Sequence, residues 1–442
     1  MRIVVENGTL IDGTGADPLE RAGLVIDDGR IVAVGALDSI DRSSDGRTRV
    51  VDATGRTITP GLFDMHVHST FRVQRNVRNQ VAEVMRDPDH VLFSRAMVNV
   101  QTALRAGITS VRDLGGRGAI AVWLRDTIDQ GLVHGPRMFV SGQPVTTTAG
   151  HLNWLGQTAD SIDEIRAAVR RQVANGVDLI KVCSTGGAMT PGSNRGRAQY
   201  TAEELTALVQ DAHRLRKTVA SHTLCTEGMR NSVAAGCDTI EHCYWYDDRE
   251  TEQDLEPAVA ESLVAQGLYV SPVIGAGDQA GYLAHQCPEN VRDRWRDPTA
   301  DGEDHFEWMG REMGRYLHDP GNQRHFANFR HLRAAGARFV AGTDAGAGAT
   351  RFQDLWACLG MFVHSLGFTP VEAIQSATRT CAEALNVGKE LGTLEVGKLA
   401  DVIIVQGNPA TDGIQCLQKV DLVIKNGRVV AEHGQLIDQA GL

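Results

Sequence analysis

The chain has 442 residues, of which 42% are apolar and 22% charged, and it carries a net charge of −11 with a pI near 5.8. This composition is typical of a soluble globular protein with one large domain and an accessory, or with two or three ordinary domains. The acidic balance argues against nucleic acid or an anionic membrane as the main partner, and no apolar run approaches the length of a membrane span.

The N-terminus, MRIVVENGTLIDGTG, shows strand alternation and acidic residues instead of the basic and then apolar pattern of a signal peptide. The eight cysteines include no C-x-x-C pair, and Cys183, Cys237 and Cys381 lie inside apolar runs. We therefore expect buried free thiols and a cytoplasmic protein. We also expect a homo-oligomer.

Residues 1–58 contain short strands joined by turns, and Asn7-Gly8 and Asp28-Gly29 are dipeptides typical of hairpins. Similar strand patterns return near the other end of the chain, in LADVIIVQGNP and DLVIKNGRVVAEHG. The sequence therefore predicts a small β-sandwich domain that is built from both termini, residues 1–58 and 389–442.

Between these ends, strands alternate with helices. Many of the helices stop at a glycine, and Ser161-x-x-Glu164 and Thr201-x-x-Glu204 are capping-box patterns. Eight strands are predicted, at 62–68, 109–113, 137–141, 178–183, 218–222, 238–242, 268–273 and 338–343. Eight β–α units predict an α/β fold with a (β/α)8 TIM-type barrel over residues 59–388, and a doubly wound open sheet is the alternative. The long segment at about 275–335 could form a lid.

The first barrel strand, GLFDMHVHST, carries polar side chains at alternate positions. Asp64, His66 and His68 share one face because successive side chains of a strand point to opposite faces. The two imidazoles can converge on one metal ion, since zinc accepts histidine nitrogen at about 2.0–2.1 Å. Two hydrogen-bonded histidines near a strand end are the alternative.

Other predicted strands also end in groups of ligand type, at the barrel face where catalytic residues gather. These groups are Lys181, His222, His242 and Asp344. The ammonium of a lysine in an apolar strand can extend to the rim or pair with Asp344 or Asp64, or the lysine can lose its proton. A neutral amine can add carbon dioxide, and the resulting carbamate can bridge two divalent ions. One ion would be held by His66, His68 and Asp344, the other by His222 and His242.

The sequence resembles the amidohydrolase superfamily of metal-dependent hydrolases over nearly its whole length. The motifs that carry the resemblance are TGRTITPGLFDMHVHS, SVRDLGG, GVDLIKVCSTGG, ASHT, TIEHC, GTDAG and GKLADVIIV. The chain looks closest to the branch of Xaa-Arg and Xaa-Pro dipeptidases, imidazolonepropionase-like proteins, ochratoxin amidase, and phenylurea and thiocarbamate herbicide hydrolases.

The resemblance implies a (β/α)8 barrel with a β-sandwich and a two-metal site bridged by carboxylated lysine. The implied ligands are His66, His68, Lys181, His222, His242 and Asp344, with zinc expected and manganese or cobalt as alternatives. The TTTAGH segment matches a family position at which a histidine polarises the scissile carbonyl, here His151. Relatives often read E-H-G-T-Y where this chain reads E-H-C-Y-W-Y, so the substrate-contacting tyrosine is left open.

The expected reaction is hydrolysis of a small amide, urea or carbamate bond, with a water activated by two metal ions. Asp344 would accept the proton of the water and deliver it to the leaving nitrogen, and His151 would stabilise the developing oxyanion. As an alternative, His151 could be only a helix cap or a surface group.

Two further sets of residues have competing interpretations. Four aromatic residues, Trp154, Tyr244, Trp245 and Tyr246, could form an aromatic pocket wall or pack loops onto helices. Arg112 and Asp113 favour a salt bridge inside the barrel over substrate contact. We expect the histidines of the lid region to lie on solvated helix faces: His285, His305, His318, His325 and His331.

Other functions on the same scaffold are a lactonase or esterase, a lyase and a deaminase. Lys181 argues against a deaminase, which would more often have a mononuclear site without this lysine. A non-catalytic scaffold protein is disfavoured because all six ligand types are present. The expected partner is a small-molecule substrate.

Overall fold

Strands from both ends of the chain share one sheet in the computed structural model, which describes residues 2–43, 46–276, 278–279 and 320–437. Within these residues the sheet has nine strands: β1 (Ile3–Leu10), β2 (Leu19–Asp27), β3 (Arg30–Ala36), β4 (Arg49–Asp52), β5 (Arg56–Pro60), β16 (Val402–Gln406), β17 (Val420–Lys425), β18 (Arg428–Glu432) and β19 (Gln435–Leu436). Their order is β19-β18-β17-β16-β5-β1-β2-β3, and β4 pairs with β1. The antiparallel pair β5–β16 joins the N-terminal strands to the C-terminal ones.

The strand β16 is buried on both faces. Val402 and Ile404 belong to the apolar core of the terminal sheet, whereas Ile403 and Val405 belong to the larger core that contains most of the helices. This division follows from the alternation of side chains along a strand. The terminal sheet therefore packs directly against the rest of the chain.

The two dipeptides expected in hairpins behave differently. Asp28-Gly29 connects β2 to β3 in a turn, as predicted. The prediction for Asn7-Gly8 is wrong, because this dipeptide lies inside β1, where the pairing with β2 shifts register between Val5 and Gly8. The positive φ of 64° at Asn7 is thus taken up by a bulge and not by a chain reversal.

The eight strands predicted between the termini are all present: β6 (Leu62–Val67), β7 (Ile108–Asp113), β8 (Arg137–Val140), β11 (Ile180–Cys183), β12 (Val219–Cys225), β13 (Thr239–Tyr246), β14 (Tyr269–Ser271) and β15 (Arg338–Phe339). Two short strands, β9 (Val145–Thr146) and β10 (Gln157–Thr158), were not predicted. The strands pair in parallel, in the orders β6-β7-β8 and β10-β9-β11-β12-β13-β14-β15.

Backbone hydrogen bonds outside these ladders connect the two parallel sheets. The amide of Met65 donates to Ala341 O at 2.9 Å, and the amide of Asp344 donates to His66 O at 2.8 Å. At the other side, the amide of Asp178 donates to Val140 O at 2.8 Å. The segment after the last strand therefore lies beside the first strand, and their polar ends meet.

Helices connect the strands, and in the described part of the chain none is long and apolar enough to cross a membrane. The helices are α1 (Val77–Arg86), α2 (Asp89–Arg105), α3 (Ile120–Asp129), α4 (Ile162–Ala174), α5 (Ala202–Arg214), α6 (Thr226–Ala235), α7 (Pro257–Ala265), α8 (Pro320–Ala334), α9 (Leu355–His364), α10 (Pro370–Ser376) and α11 (Arg379–Ala384). Thr201 and Glu204 form the predicted capping box of α5. At α4, Ser161 accepts a hydrogen bond from Glu164 N, but the Glu164 carboxylate accepts one from Asp160 N, so the box is incomplete.

The cysteines are free thiols wherever the structure describes them. Six are buried and Cys416 is partly buried, whereas Cys287 lies outside the described residues. The six buried thiols are Cys183, Cys225, Cys237, Cys243, Cys358 and Cys381. The expectation of buried free thiols is confirmed for these six.

The segment at about 275–335 is described only in part, because residues 277 and 280–319, with His285, His305 and His318, lie outside the described residues. Residues 320–334 form α8, on which His331 is exposed as predicted. The prediction of a solvated position is wrong for His325, which is 2% exposed. Its ring packs against Tyr244 and Phe329, because this face of α8 lies on β13.

Candidate active site

Polar side chains at the carboxyl ends of the parallel strands surround a cavity of about 200 Å³. Seven of the lining residues are the predicted metal ligands and the predicted oxyanion donor: His66, His68, His151, Lys181, His222, His242 and Asp344. Seven others complete the lining: Leu152, Ala188, Met189, Arg195, Leu224, Tyr244 and Tyr246. The structure thus brings all the predicted ligand residues to one place.

The end of β6 presents two histidines to the cavity. The ring centroids of His66 and His68 are 5.4 Å apart, and both side chains are buried. Phe63 and Met65, at the alternating positions, pack in a separate apolar cluster on the other side. The alternation in GLFDMHVHST therefore directs His66 and His68 to the cavity and Phe63 and Met65 into the apolar cluster, as predicted.

Asp344 follows β15 and meets these histidines across the cavity. Its Oδ1 atom lies 3.2 Å from His68 Nε2 and 3.6 Å from His66 Nε2. The residue has a φ of 63°, which is uncommon outside glycine and recurs at functional sites. Asp64 holds the preceding residue, since Thr343 Oγ1 donates to Asp64 Oδ2 at 2.5 Å. Asp64 therefore positions this loop.

The group of His66, His68 and Asp344 has the chemistry of a metal site. Each residue offers one ligand atom, and these atoms lie within 4.8 Å of one another. Burial alone would raise the pKa of Asp344, but the adjacent imidazoles of His68, His66 and His242 lower it below its usual value. The carboxylate is thus ionised at neutral pH, and two nitrogens and a carboxylate are suitable ligands for zinc.

A buried glutamate orients His66. Glu241 Oε2 accepts a hydrogen bond from His66 Nδ1 at 2.9 Å, and Glu241 Oε1 accepts one from Arg112 Nη2 at 2.5 Å. Arg112 also donates to Met65 O at 2.7 Å and to Thr239 Oγ1 at 2.9 Å. With Nδ1 engaged, Nε2 of His66 is left to face the cavity. No role was predicted for Glu241, although a charged residue inside the apolar strand DTIEHCY indicates a specific buried partner.

His68 is oriented in a similar way by the loop after β7. Its Nδ1 atom donates to Gly115 O at 2.8 Å. Asp113 fixes this loop, because its carboxylate accepts hydrogen bonds from Ser69 N at 3.0 Å and from Gly115 N at 3.1 Å. The salt bridge expected around Arg112 and Asp113 therefore forms between Arg112 and Glu241, and Asp113 binds backbone amides.

Three more imidazoles, those of His151, His222 and His242, line the same cavity. The ring centroids of His222 and His242 are 4.5 Å apart, as are those of His151 and His222. Burial is the main cause of low pKa values, which are about 4 for His242, about 3 for His151 and well below the usual value for His222. All three are therefore neutral at pH 7, with nitrogen lone pairs available.

The backbone of His151 is fixed on the loop after β9. Its amide donates to Gln199 Oε1 at 2.5 Å, and its carbonyl accepts from Thr146 Oγ1 at 2.7 Å. A Cβ atom at Gly187 would lie 2.4 Å from the imidazole, so the chain approaches the ring closely there. His151 is only 4% exposed and lines the cavity, which argues against a surface role.

Lys181 lines the same cavity as these imidazoles and Asp344. The residue is 1% exposed, and its Nζ atom makes no hydrogen bond within the described residues. It neither reaches solvent nor pairs with Asp64 or Asp344. Burial is the largest cause that lowers the pKa of the amine, which favours its neutral form.

Three buried polar atoms of the cavity have no hydrogen-bond partner in the part of the chain that the structure describes: Lys181 Nζ, His151 Nδ1 and Asp344 Oδ1. Buried polar atoms are nearly always satisfied in folded proteins. Such a cluster of donors and acceptors fits divalent cations, because the surrounding set contains neutral imidazoles and an ionised carboxylate. The residues present therefore fit a metal centre.

Only two of the four proposed pocket aromatics line the cavity. Tyr244 and Tyr246 face it, whereas Trp245 is fully buried in the helix-packed core. Three consecutive residues of a strand cannot share one face, which explains the difference. Trp154 packs beside Phe71, with centroids 6.1 Å apart, and does not line the cavity. The prediction of a pocket wall is wrong for both tryptophans.

The two tyrosines belong to a stack of flat side chains. His325 lies on Tyr244, with centroids 3.5 Å apart and ring planes 8° apart, and Tyr244 stacks on Tyr246 at 5.1 Å. The Arg195 guanidinium carbon lies 5.3 Å from the Tyr246 ring centroid. Burial raises the pKa of Tyr246 to about 12, so its hydroxyl stays protonated. The prediction of a solvated His325 is wrong because only the tertiary fold brings α8 to this wall.

Comparisons with known proteins agree on one family. The amidohydrolase family model matches residues 57–430. Ochratoxinase from Aspergillus niger is 28% identical over 441 residues, which cover 92% of this chain and 82% of that protein. An imidazolonepropionase from a Geobacillus species is 23% identical over 437 residues, which cover 95% of this chain and 92% of that protein.

A solved structure shows the same overall architecture. The crystal structure of a Xaa-Pro dipeptidase with methionine bound in the active site matches with a TM-score of 0.79 and 28% identity. The match covers 98% of this chain and 100% of that chain. The family match and this structural match indicate a TIM-type α/β fold for this chain.

The Glu241→Gln variant tests the orientation of His66. We expect zinc affinity to fall by about 10–100-fold, because the amide holds the imidazole less firmly than the carboxylate. Thermal stability should also fall, since Arg112 loses its buried counter-charge. Competition with a chromophoric chelator measures the affinity, and Glu261→Gln, at an exposed position on α7, is the control. Unchanged zinc affinity in Glu241→Gln would contradict the assignment.

Proposed function

The chain belongs to the amidohydrolase family and hydrolyses carbon–nitrogen bonds of small molecules, and we propose that it does so at a two-metal centre in the cavity described above. The observation that carries the proposal is the cluster of buried, unsatisfied polar atoms of Lys181, His151 and Asp344. The substrate class is a small amide, such as an N-acyl amino acid or a dipeptide, or a urea or carbamate.

The proposal includes the architecture that supports this centre. The eight predicted strands would close into a (β/α)8 barrel over residues 59–388, which the hydrogen bonds from Asp344 to His66 and from Asp178 to Val140 support. Residues 1–58 and 389–442 would form one β-sandwich domain. The cytoplasmic location and the homo-oligomer stay predictions.

We assign the metal ligands by their positions and donor chemistry. His66, His68 and Asp344 would hold one cation, and His222 and His242 would hold the other. The imidazole donors favour zinc, with manganese or cobalt as alternatives. When bound, the two cations would lower the pKa of a water molecule and polarise the scissile carbonyl.

Lys181 would be carboxylated and shared by the two cations. Its neutral amine would form a bond from Nζ to the carbon of carbon dioxide and release a proton. The product is a carbamate, whose anionic oxygens are metal ligands. The modification would also satisfy a lysine that is otherwise buried without a partner.

The remaining chemistry falls to two side chains. Asp344 is ionised and would accept the proton of the attacking water, then deliver it to the leaving nitrogen. His151 is neutral because burial lowers its pKa to about 3, so one ring nitrogen carries a proton. That N–H would donate to the carbonyl oxygen as negative charge develops there.

A hydrolysis screen of the metal-loaded protein tests the proposed function. The panel contains N-acyl amino acids, dipeptides, phenylureas, carbamates and lactones, and we expect turnover of a compound with a C–N bond. Removal of the metal by a chelator should abolish turnover, and zinc should restore it.

Asp344→Asn tests the role of Asp344 as the proton acceptor and donor. It should lower turnover by about 10²–10⁴-fold, the scale of general acid–base catalysis. Near-normal turnover in this variant would contradict the role of Asp344.

Lys181→Ala tests the bridging role. We expect the loss of most of the metal and activity, because the shared ligand is removed, with partial rescue by short carboxylic acids that can occupy its place. Metal content is measured by atomic emission, with Lys389→Ala, at an exposed position, as the control. Full metal content together with wild-type turnover would show that the two-metal assignment is wrong.

His151→Asn separates oxyanion stabilisation from binding. We expect kcat to fall by about 10²–10³-fold, the effect of removing one oxyanion donor, while metal content stays unchanged. The loss should be smaller for substrates with activated leaving groups, whose addition step needs less help. His331→Asn, on the exposed face of α8, is the control. Depletion of metal would make His151 a ligand, and an unchanged kcat would make it structural.

A further inference from the structure

One wall of the cavity ends in a guanidinium group. Arg195 lines the same cavity as the histidines and Asp344, and it lies over Tyr246 at the end of the stack that continues through Tyr244 to His325. Among the lining residues that the structure describes, Arg195 and Lys181 are the two that carry an amine or a guanidinium. Since Lys181 lies among the metal ligands, Arg195 is the permanent cation available to a substrate.

The guanidinium is held in one orientation. Arg195 Nε and Nη2 donate to Glu250 Oε2 at 2.9 and 2.7 Å, and Arg195 N donates to Glu250 Oε1 at 3.0 Å. The neighbouring Asn194 Nδ2 donates to Asp248 O at 3.2 Å, which ties the same two loops together. The side chain is thus positioned before any ligand arrives, which lowers the entropic cost of binding.

Glu250 does not engage all of the N–H donors of the Arg195 guanidinium. A guanidinium has five N–H donors, and within the described residues Nη1 of Arg195 makes no hydrogen bond. The side chain is 38% exposed, so it is accessible to a ligand in the cavity. A planar fork of this kind matches a carboxylate.

The neighbouring lining is apolar. Leu152, Met189 and Leu224 contribute to the same cavity. A ligand that matches this lining therefore combines an apolar side chain with an anionic group, and it presents its C–N bond to the histidines and Asp344.

We propose that Arg195 is a specificity-determining residue that binds a carboxylate of the substrate. The proposal rests on the proposed hydrolytic function and narrows its substrates to amides with a free carboxylate, such as N-acyl amino acids with apolar side chains. Neutral ureas and carbamates lack the group that Arg195 recognises. A purely structural clamp between the two loops is the competing interpretation.

The test compares two amides of the same shape. N-acetyl-L-leucine carries the carboxylate, and N-(3-methylbutyl)acetamide is the same compound without it. For the wild-type, metal-loaded protein, we expect kcat/KM to be higher for N-acetyl-L-leucine by at least about tenfold, the scale of a hydrogen bond to a charged group. Equal kcat/KM values would overturn the proposal.

Variants of Arg195 distinguish recognition of the substrate carboxylate from a purely structural role of this residue. Arg195→Gln should raise KM for N-acetyl-L-leucine by at least about tenfold with little change in kcat, and should leave the neutral amide unaffected. Arg195→Lys, which keeps the charge but not the fork, should be intermediate. Arg197→Gln, at an exposed position on the same loop, is the matched control and should match the wild type.

Glu250→Gln distinguishes the competing interpretation. It removes the counter-charge but leaves the guanidinium, so carboxylate recognition should persist or improve. If Arg195 only clamps the loops, Glu250→Gln and Arg195→Gln will impair both amides equally, which overturns the proposal. Thermal melting of each variant verifies folding.

Failure of the proposed function gives a different result. If the wild-type protein hydrolyses no compound of either the panel or this pair, the hydrolytic function fails. N-acetyl-L-leucine is then an unreactive ligand, and calorimetric titration into wild type and Arg195→Gln measures recognition alone. At least about tenfold weaker binding to Arg195→Gln supports the role of Arg195, and equal or undetectable binding to both proteins overturns it.

Discussion

The buried ion pair of Arg112 and Glu241 is the interaction on which the candidate site depends. It joins strands of both parallel sheets, because Arg112 on β7 contacts the backbone of β6 and the side chains of β13, while Glu241 on β13 holds His66. Removing two charges from water is costly, and the pair is tolerated because hydrogen bonds engage both partners. The position of the first metal ligand is therefore tied to the packing of the strands beneath it.

The parallel strands convert distant sequence positions into a compact set of ligands. Each strand brings its carboxyl end to the same side, so residues from 66 to 344 line one cavity of about 200 Å³. The apolar faces of the same strands belong to the apolar cores, so the core packing does not use the polar groups of the site. Along each strand, alternate residues thus serve different purposes: some line the cavity and the others pack in the apolar core.

The sequence predicted the strands and the residues that line the cavity, because both follow local rules. Alternation and helix-ending glycines mark the elements, and histidine or aspartate at a strand end marks the cavity. The roles that were missed or wrongly predicted depend on contacts between residues that are distant in the sequence. Glu241 has a partner on another strand, His325 meets Tyr244 only after α8 docks, and the direction of Trp245 depends on the strand register. Asn7-Gly8 failed because a bulge and a hairpin use similar residues.

The strand β16 has a consequence for the synthesis of the protein. It fills the place between β5 and β17 and contributes side chains to both apolar cores, yet it is synthesised long after β5, because most of the described chain lies between the two strands. Until then, β5 presents an unpaired edge and both cores are incomplete. Pairing across such a long sequence separation is slow, and open strand edges invite association with other chains. A nascent chain of this protein is therefore exposed to misassembly until its C-terminal strands emerge.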